Sequence, residues 1–140
     1  EDVEKYTIHF KNMFDETIKQ ETVAGTRYNI NLKDANLTNQ RLVIVNVKAK
    51  GKDYQSEDYG IKPMDKKEAS KIKNELSSLK KELDEEESAL DKLILASFYE
   101  NNSLLIDALT HYEQAIQLSP EVDAFRSAYE QFIVRNGLGQ

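Results

Sequence analysis

The stretch 89–122 constrains this chain more than any other part of its sequence. Small residues stand where two helices would come close together, and large residues fill the positions between them. The small residues are Ala96, Ala108 and Ala115, and the large ones are Leu95, Tyr99 and Tyr112. Asn101 and Asn102 interrupt the pattern, and Pro120 ends it. This spacing predicts two short amphipathic helices, at 87–100 and 103–118, joined by a turn.

At these positions the stretch resembles a tetratricopeptide repeat, whose signature sets Leu-Gly, Tyr, Ala, Phe and Pro at fixed spacings. With Ala89 as the first position, the matching residues are Leu95, Ala96, Tyr99, Ala108, Tyr112 and Pro120. Lys92 stands where the family has Trp. The resemblance implies a helical hairpin, because each such repeat is one supersecondary unit.

The resemblance also implies a surface, since the first helix of each unit lines the concave face of such arrays. The corresponding possible partner-binding residues are Leu93, Ser97, Glu100 and Asn101. Repeats that clamp a C-terminal carboxylate carry Lys and Asn at positions held here by Leu93 and Ser97. We therefore expect apolar or polar contacts with a protein partner and no carboxylate clamp.

Two further helices are predicted on either side of the hairpin. Apolar residues recur at steps of three and four from Ala69 to Leu83, and Asp65 with Glu68 forms an acidic version of a capping box. The predicted helix ends near 84–87. This helix must bury its apolar stripe, most simply against the hairpin. A last helix over 120–136 is expected either to cap the hairpin or to mark the point where a longer array was cut, and Gly137 is its predicted terminator.

The first part of the chain has the two-residue period of β-strands. The predicted strands are 6–10, 17–23, 28–32, 41–50 and 54–61. The strand at 41–50 is apolar on both faces and is therefore expected at the centre of the sheet, whereas 17–23 is polar and is expected at an edge. The sequence favours neither the face of Leu42 and Ile44 nor the face of Val43, Val45 and Val47 as the covered one.

This strand order resembles the later strands of an immunoglobulin or fibronectin type III sandwich. The first two strands of such a sandwich have no counterpart here, so the apolar face needs another cover. The helices or two further strands before Glu1 are the two alternatives. The predicted fold class is thus α+β, with a partial immunoglobulin-like antiparallel sheet in residues 1–63 and a tetratricopeptide-like helical region in residues 64–140.

The charge of the chain argues against nucleic acid as a partner. Residues 1–64 carry 10 acidic and 10 basic side chains, whereas residues 65–140 carry 15 acidic and 9 basic ones. Phosphate backbones are bound by clustered Lys and Arg, which an acidic helical region lacks. No run of about 18 apolar residues predicts a membrane span either.

Catalytic, cofactor and metal sites are not predicted. The chain has no Cys, and its two histidines, His9 and His111, have no partner at a metal-ligand spacing. Ser97, Asp107 and His111 lack the strained turn that presents a nucleophilic serine. The acidic run 84–87 lacks the alternation and Gly of a calcium loop. The helical aromatic residues suit core packing or, alternatively, a groove for a partner peptide.

The order of sheet, connecting helix, hairpin and capping helix resembles a module of bacterial envelope proteins. The matching pieces are YTIHF, RLVIVNVKAKG, IKPMDKKEASKIKNELSSL and the repeat from Ala89. This resemblance implies an extracytoplasmic, non-catalytic interaction or scaffold module that binds a protein partner or itself. The alternative is a structural connector that completes an upstream β-sandwich. Because the chain starts at Glu1, we expect a processed protein or a piece of a longer one.

Overall fold

The computed structural model describes residues 3–139 of the chain. It contains a four-stranded antiparallel sheet followed by helices, so the predicted α+β class is confirmed. The described residues form two compact units, one ending at residue 64 and the other spanning 65–139.

The sheet of the first unit has the strand order β2-β1-β3-β4, with every neighbouring pair antiparallel. The strands are β1 (Lys5–Lys11), β2 (Thr17–Ala24), β3 (Val43–Ala49) and β4 (Tyr59–Ile61). The central position predicted for 41–50 is confirmed, because β3 pairs with a strand on each side. The edge position predicted for 17–23 is confirmed as well, since within residues 3–139 β2 pairs only with β1.

The strand predicted at 28–32 is wrong. This segment is extended but joins no sheet, and Tyr28 and Ile30 pack on the core formed by the apolar face of the sheet. A one-turn helix, α1 (Ala35–Thr38), follows before β3 and adds the buried Leu37. Alternation of apolar residues thus indicates an extended segment, and it carries no information about backbone pairing.

The core of the first unit lies on the Val43 side of β3. Val43 is buried with Phe10 of β1, and Val45 and Val47 pack beside them. On the opposite face, Asn46 is buried and its amide donates to the Ser56 carbonyl oxygen at 2.8 Å. The valine face of β3 is therefore the covered one, and its cover within this unit is the connection between β2 and β3.

The last predicted strand, 54–61, is shorter in the structure. Only Tyr59–Ile61 forms a regular strand, and a single bridge joins Lys48 to Gln55 ahead of it. Between these points the Val47 N–H donates to the hydroxyl of Ser56 at 2.9 Å. In a regular strand pair a backbone carbonyl oxygen would accept this hydrogen bond. Here the Ser56 hydroxyl accepts it, and the strand is interrupted.

The second unit consists of four helices. They are α2 (Lys66–Lys80), α3 (Ala89–Asn101), α4 (Leu105–Leu118) and α5 (Asp123–Arg135). In the described residues, the extensive contacts between helices join α3 to α4 and α4 to α5. Helix α2 makes no comparably extensive contact with the hairpin, contrary to the expected packing. Helix α2 also ends before the predicted residue 84. Consecutive carboxylates at 84–87 would oppose the negative end of a helix dipole there.

The helix ends have identifiable caps. Asp65 accepts the N–H groups of Lys67 and Glu68, as its predicted capping role requires. At the start of α3, Ser88 and Asp91 form a reciprocal capping box, which was not among the predicted caps. The preceding Glu87 forms an ion pair with Lys92, which lowers the pKa of its carboxyl.

Helices α3 and α5 end in the same backbone motif. After α5, Gly137 has a φ of 64°, and Leu138 donates its N–H to the Ile133 carbonyl oxygen at 2.9 Å. This is a Schellman motif, and it confirms Gly137 as the terminator. After α3, the equivalent left-handed position is taken by Ser103, with a φ of 59°.

Candidate interaction surface of the helical unit

Close contact between the helices depends on the small residues of the hairpin. Ala96, Ala108 and Ala115 are completely buried, as the pattern of small and large residues predicts. Against them, the rings of Tyr112 and Phe132 lie 4.9 Å apart between centroids and bring α5 onto the hairpin. The aromatic residues of this cluster are therefore core residues, and they do not line an open groove.

Glu100 connects the end of α3, the middle of α4 and the end of α5 through one carboxylate. It lies in the last turn of α3 and accepts the Tyr112 hydroxyl of α4 at 2.8 Å. Arg135 of α5 donates to it through Nε and a terminal nitrogen, both at 3.0 Å. Asn136 donates its side-chain amide at 2.9 Å. We refer to these four residues as the Glu100 cluster.

The electrostatics of the Glu100 cluster favour the charged carboxylate. The hydrogen bonds from Arg135 lower the pKa of Glu100 below its usual range, and those from Tyr112 and Asn136 act in the same direction. Burial, together with the negative Glu100 beside it, raises the pKa of Tyr112 to about 12. Tyr112 is therefore a hydrogen-bond donor at neutral pH, and Glu100 is an ion.

The structure divides the four possible partner-binding residues into two pairs. The Leu93 side chain is half-buried and packs on the core, and the Glu100 carboxylate already accepts four hydrogen bonds from the chain itself. Ser97 and Asn101 are exposed. Only this second pair lies on the open face of α3.

The open face of α3 consists of Leu90, Ile94, Ser97 and Asn101, which we call the α3 face. Steps of four, three and four place them on one side of the helix. Leu90 is 58% exposed and Ile94 38% exposed, although both are large and apolar. The α3 face is thus apolar at its beginning and polar at its end.

Leu90 and Ile94 were not predicted as surface residues, although the sequence contains a signal for them. Large apolar residues occur at four of the six positions 90–95, which is more than one stripe of a helix can bury. A helix that is apolar on several sides needs more than one partner. Helix α4 packs along α3, α5 reaches its last turn through Arg135 and Glu100, and the side of Leu90 remains exposed.

Acidic side chains lie next to the apolar end of the α3 face in the sequence. Asp84, Glu85 and Glu86 are exposed just before α3 begins, whereas Glu87 is paired with Lys92. The whole helical region has a net charge of −6. A partner of positive charge would be attracted to this part of the molecule at low salt.

The side chains that resemble a catalytic triad are not assembled into one. His111 is within 2.8 Å of the backbone carbonyl oxygen of Asp107 through Nδ1, so this contact does not involve the Asp107 carboxylate. The His111 ring also stacks on Tyr99, with 4.9 Å between centroids. Within residues 3–139, no three His, Asp or Glu side chains are grouped as metal ligands.

Comparison of the chain with protein families, with curated protein sequences and with solved structures finds no match. Among the helices of residues 3–139, none has the length and apolar character that crossing a membrane requires.

Proposed function

We propose that this chain is a non-catalytic protein-interaction or scaffold module of a larger bacterial envelope protein. The observation that carries the interaction role is the α3 face, on which Leu90 and Ile94 remain exposed beside Ser97 and Asn101. Large apolar side chains grouped on a rigid surface element are typical of protein-binding sites. The Glu100 cluster supports this role, because it fixes the helix that bears the face.

The proposed partner is a basic amphipathic protein segment. Its apolar side chains would contact Leu90 and Ile94, and its Lys or Arg side chains would lie near the exposed carboxylates of residues 84–86. The apolar contact would supply most of the affinity. The charges would mainly increase the association rate and disfavour acidic competitors.

The envelope location is proposed from the order of the elements. A β-unit that leads through a Pro-containing junction into a helical hairpin resembles modules of bacterial envelope proteins. Fractionation of cells that express the parent protein tests this point. Recovery in the periplasmic or surface fraction is expected, and recovery only with cytoplasmic markers would contradict it.

A peptide-display selection against the whole chain tests the α3 face. We expect enriched peptides to combine Lys or Arg with apolar residues at helical spacing. Their binding, measured by fluorescence anisotropy, should weaken at least about tenfold in a Leu90→Ser, Ile94→Ser double variant, because buried apolar anchors dominate such interfaces. Raising the salt concentration should weaken it further.

Val134→Ser provides the matched control, because Val134 is 79% exposed on α5 and lies outside the α3 face. This variant should bind the selected peptides as the unchanged chain does. Equal binding by the double variant, or enrichment of acidic peptides, would show that the α3 face is not the docking site.

A structural connector is the second candidate, and the open edge of β2 favours it. In the described part of the chain, the outer side of β2 has no strand partner and can accept one. Comparing melting temperatures of this chain and of a longer chain that includes preceding sequence of the parent protein tests the idea. A higher melting temperature of the longer chain is expected, and no gain would exclude missing strands.

A further inference from the structure

The segment that ends α5 contains a reactive pair of residues. Asn136 is followed by Gly137, and no other asparagine of the chain precedes a glycine. The backbone nitrogen after an asparagine can attack the side-chain amide carbon, because the attack is intramolecular and closes a five-membered ring. Glycine leaves this nitrogen most accessible, since it has no Cβ beside it. Asparagine is for this reason counted among the thermolabile residues of proteins.

The reaction at this pair consumes only water. The Gly137 nitrogen forms a bond with Cγ of Asn136, the bond from Cγ to Nδ2 breaks, and ammonia leaves with the proton of the Gly137 N–H. Water then opens the succinimide ring at one of its two carbonyl carbons. The product is aspartate, or isoaspartate, in which the main chain runs through Cγ. In both products a carboxylate, charged at neutral pH, replaces a neutral amide.

The fold holds both reacting nitrogens in hydrogen bonds of their own. The Asn136 amide donates to Oε1 of Glu100 and to the Phe132 carbonyl oxygen, both at 2.9 Å. The Gly137 N–H donates to the Val134 carbonyl oxygen at 3.2 Å. Nδ2, which leaves, and the backbone nitrogen, which attacks, are therefore both bound in the closed state. Ring closure has to wait until this end of α5 opens.

The bonds that hold this end of α5 are of a kind that opens. Helix ends open locally at a much smaller free energy than the whole fold. The Arg135 side chain is 51% exposed, and exposed ion pairs contribute little to stability. Gly137 is itself exposed, so water reaches the pair. The closed state therefore slows the reaction at Asn136 but does not stop it.

The product does not fit the place of Asn136 in the Glu100 cluster. The amide of Asn136 donates two hydrogen bonds, whereas an ionised carboxylate only accepts them. Such a carboxylate would face the Glu100 carboxylate and the Phe132 carbonyl oxygen, so two negative charges would meet without a proton between them. Isoaspartate also adds a carbon to the main chain before Gly137, which is incompatible with the Schellman motif there.

We propose that Asn136 is a site of spontaneous deamidation, that the Glu100 cluster controls its rate, and that the reaction releases the end of α5. The intact cluster slows the reaction, and the reaction removes one member of the cluster. The change is irreversible, because the ammonia is lost. It needs no partner and goes beyond the proposed function.

The end of α3 provides a related motif without this reactivity. Asn102 takes the position after α3 that Asn136 takes after α5, and its amide donates to the Phe98 carbonyl oxygen at 2.8 Å. Ser103 follows it in the left-handed conformation. The motif thus forms with an Asn-Ser pair as well as with an Asn-Gly pair. Gly137→Ser therefore keeps the motif while it places a side chain beside the attacking nitrogen.

Mass spectrometry of the full 140-residue chain, incubated at neutral pH and digested at intervals, tests the proposal. The reference is a synthetic peptide of residues 133–139, which has the same neighbours of Asn136 but no fold. We expect deamidation in both, at least about tenfold slower in the chain, because only open molecules react. The second product, isoaspartate, should be present in each digest.

Three variants separate control by the cluster from general instability. Glu100→Ala removes the acceptor on α3 and should raise the rate in the chain at least about threefold. Ser88→Ala destabilises the other end of α3 and should leave the rate unchanged. Gly137→Ser should slow the reaction more than about tenfold, although its strained Ser lowers the stability of the fold. If Glu100→Ala fails to fold by circular dichroism, the last two variants still decide.

The deamidated molecules carry one more negative charge, so anion-exchange chromatography separates them from the unchanged chain. Their melting temperature should be several degrees lower. Hydrogen exchange at the Leu138 N–H, which donates to Ile133 in the closed motif, should be faster.

Several results would overturn the proposal. Equal rates in chain and peptide, no deamidation of the chain over the whole incubation, or a faster reaction in Gly137→Ser would each do so. A deamidated fraction that melts like the unchanged chain would show that the end of α5 is not released. None of these results bears on peptide binding at the α3 face, so the two proposals fail independently.

Discussion

Glu100 has more hydrogen-bond partners in the described structure than its position near a helix end suggests. Its carboxylate accepts from Tyr112, Arg135 and Asn136, so three helices share one ion. Glu100→Gln keeps the shape of the side chain but removes its negative charge. The new amide N–H group then faces the donors of Arg135 and Asn136. We expect the free energy of unfolding at pH 7 to fall by about 2 kcal/mol, since hydrogen bonds to charged groups are the stronger ones.

The pH dependence of this loss follows from the lowered pKa of Glu100. A carboxyl whose pKa is lower in the folded state stabilises the fold above its unfolded value, near 4.5, and this contribution is lost as the pH falls through the folded value. The difference between the unchanged chain and Glu100→Gln should therefore shrink in acid. Urea unfolding at neutral and acidic pH measures it. Glu130→Gln, which changes an exposed carboxylate of α5, is the control, and a difference that is constant with pH would contradict the prediction.

Ser103 is a second residue whose effect on the stability of the fold can be tested. It occupies the left-handed position of a Schellman motif, which in the motif after α5 is held by Gly137. Residues with a Cβ are strained there by about 1 kcal/mol, whereas Gly is not. Ser103→Gly should thus raise the melting temperature by several degrees. Gly137→Ser makes the opposite change in the equivalent motif and should lower the melting temperature. If both variants shift the melting temperature in the same direction, the explanation is wrong.

At the scale of the element, α3 depends on its first turn. Ser88 accepts the Asp91 N–H at 3.1 Å and donates its own N–H to the Asp91 carboxylate at 2.8 Å. Ser88→Ala should cost about 1 kcal/mol of stability, as the loss of such caps does. Thermal unfolding followed by circular dichroism measures the change.

Ser88→Thr is the conservative partner of that test, because Thr keeps the hydroxyl that accepts the Asp91 N–H and donates to the Asp91 carboxylate. It should retain most of the stability that Ser88→Ala loses. If both variants lose stability equally, the hydroxyl of Ser88 contributes through something other than capping.

The elements also show which parts of the fold a sequence can predict. The hairpin was predictable, because Ala96, Ala108 and Ala115 combine helical periodicity with a recognisable spacing. The central place of β3 was predictable from its apolar faces. The segment 28–32 was not, since alternation is the same whether an extended segment joins a sheet or only covers it.

The candidate site was predictable only in part, for a related reason. The resemblance names Ser97 and Asn101, and both side chains are exposed on α3. It could not show that Arg135, which is 35 residues away, would donate to Glu100, because that pairing depends on how α5 packs on the hairpin. Leu90 and Ile94 look like core residues in the sequence, and only the packing of the neighbouring helices leaves them exposed.

At the scale of the whole molecule, the two units differ in which elements cover their hydrophobic cores. In the first unit, one connection supplies Tyr28, Ile30 and Leu37 to the sheet and leaves a groove beside them. In the second unit, α5 closes on the hairpin through both the Phe132 ring and the Glu100 cluster. The α3 face belongs to the second unit.

The Glu100 cluster has a consequence for the divergence of related sequences. A substitution at Glu100 leaves the guanidinium of Arg135 and the amide of Asn136 without their acceptor, so the three positions are constrained jointly. When one of them changes, the others come under selection to change as well. Homologues of this chain should therefore show correlated substitutions between the end of α3 and the end of α5, even where the surface between them varies freely.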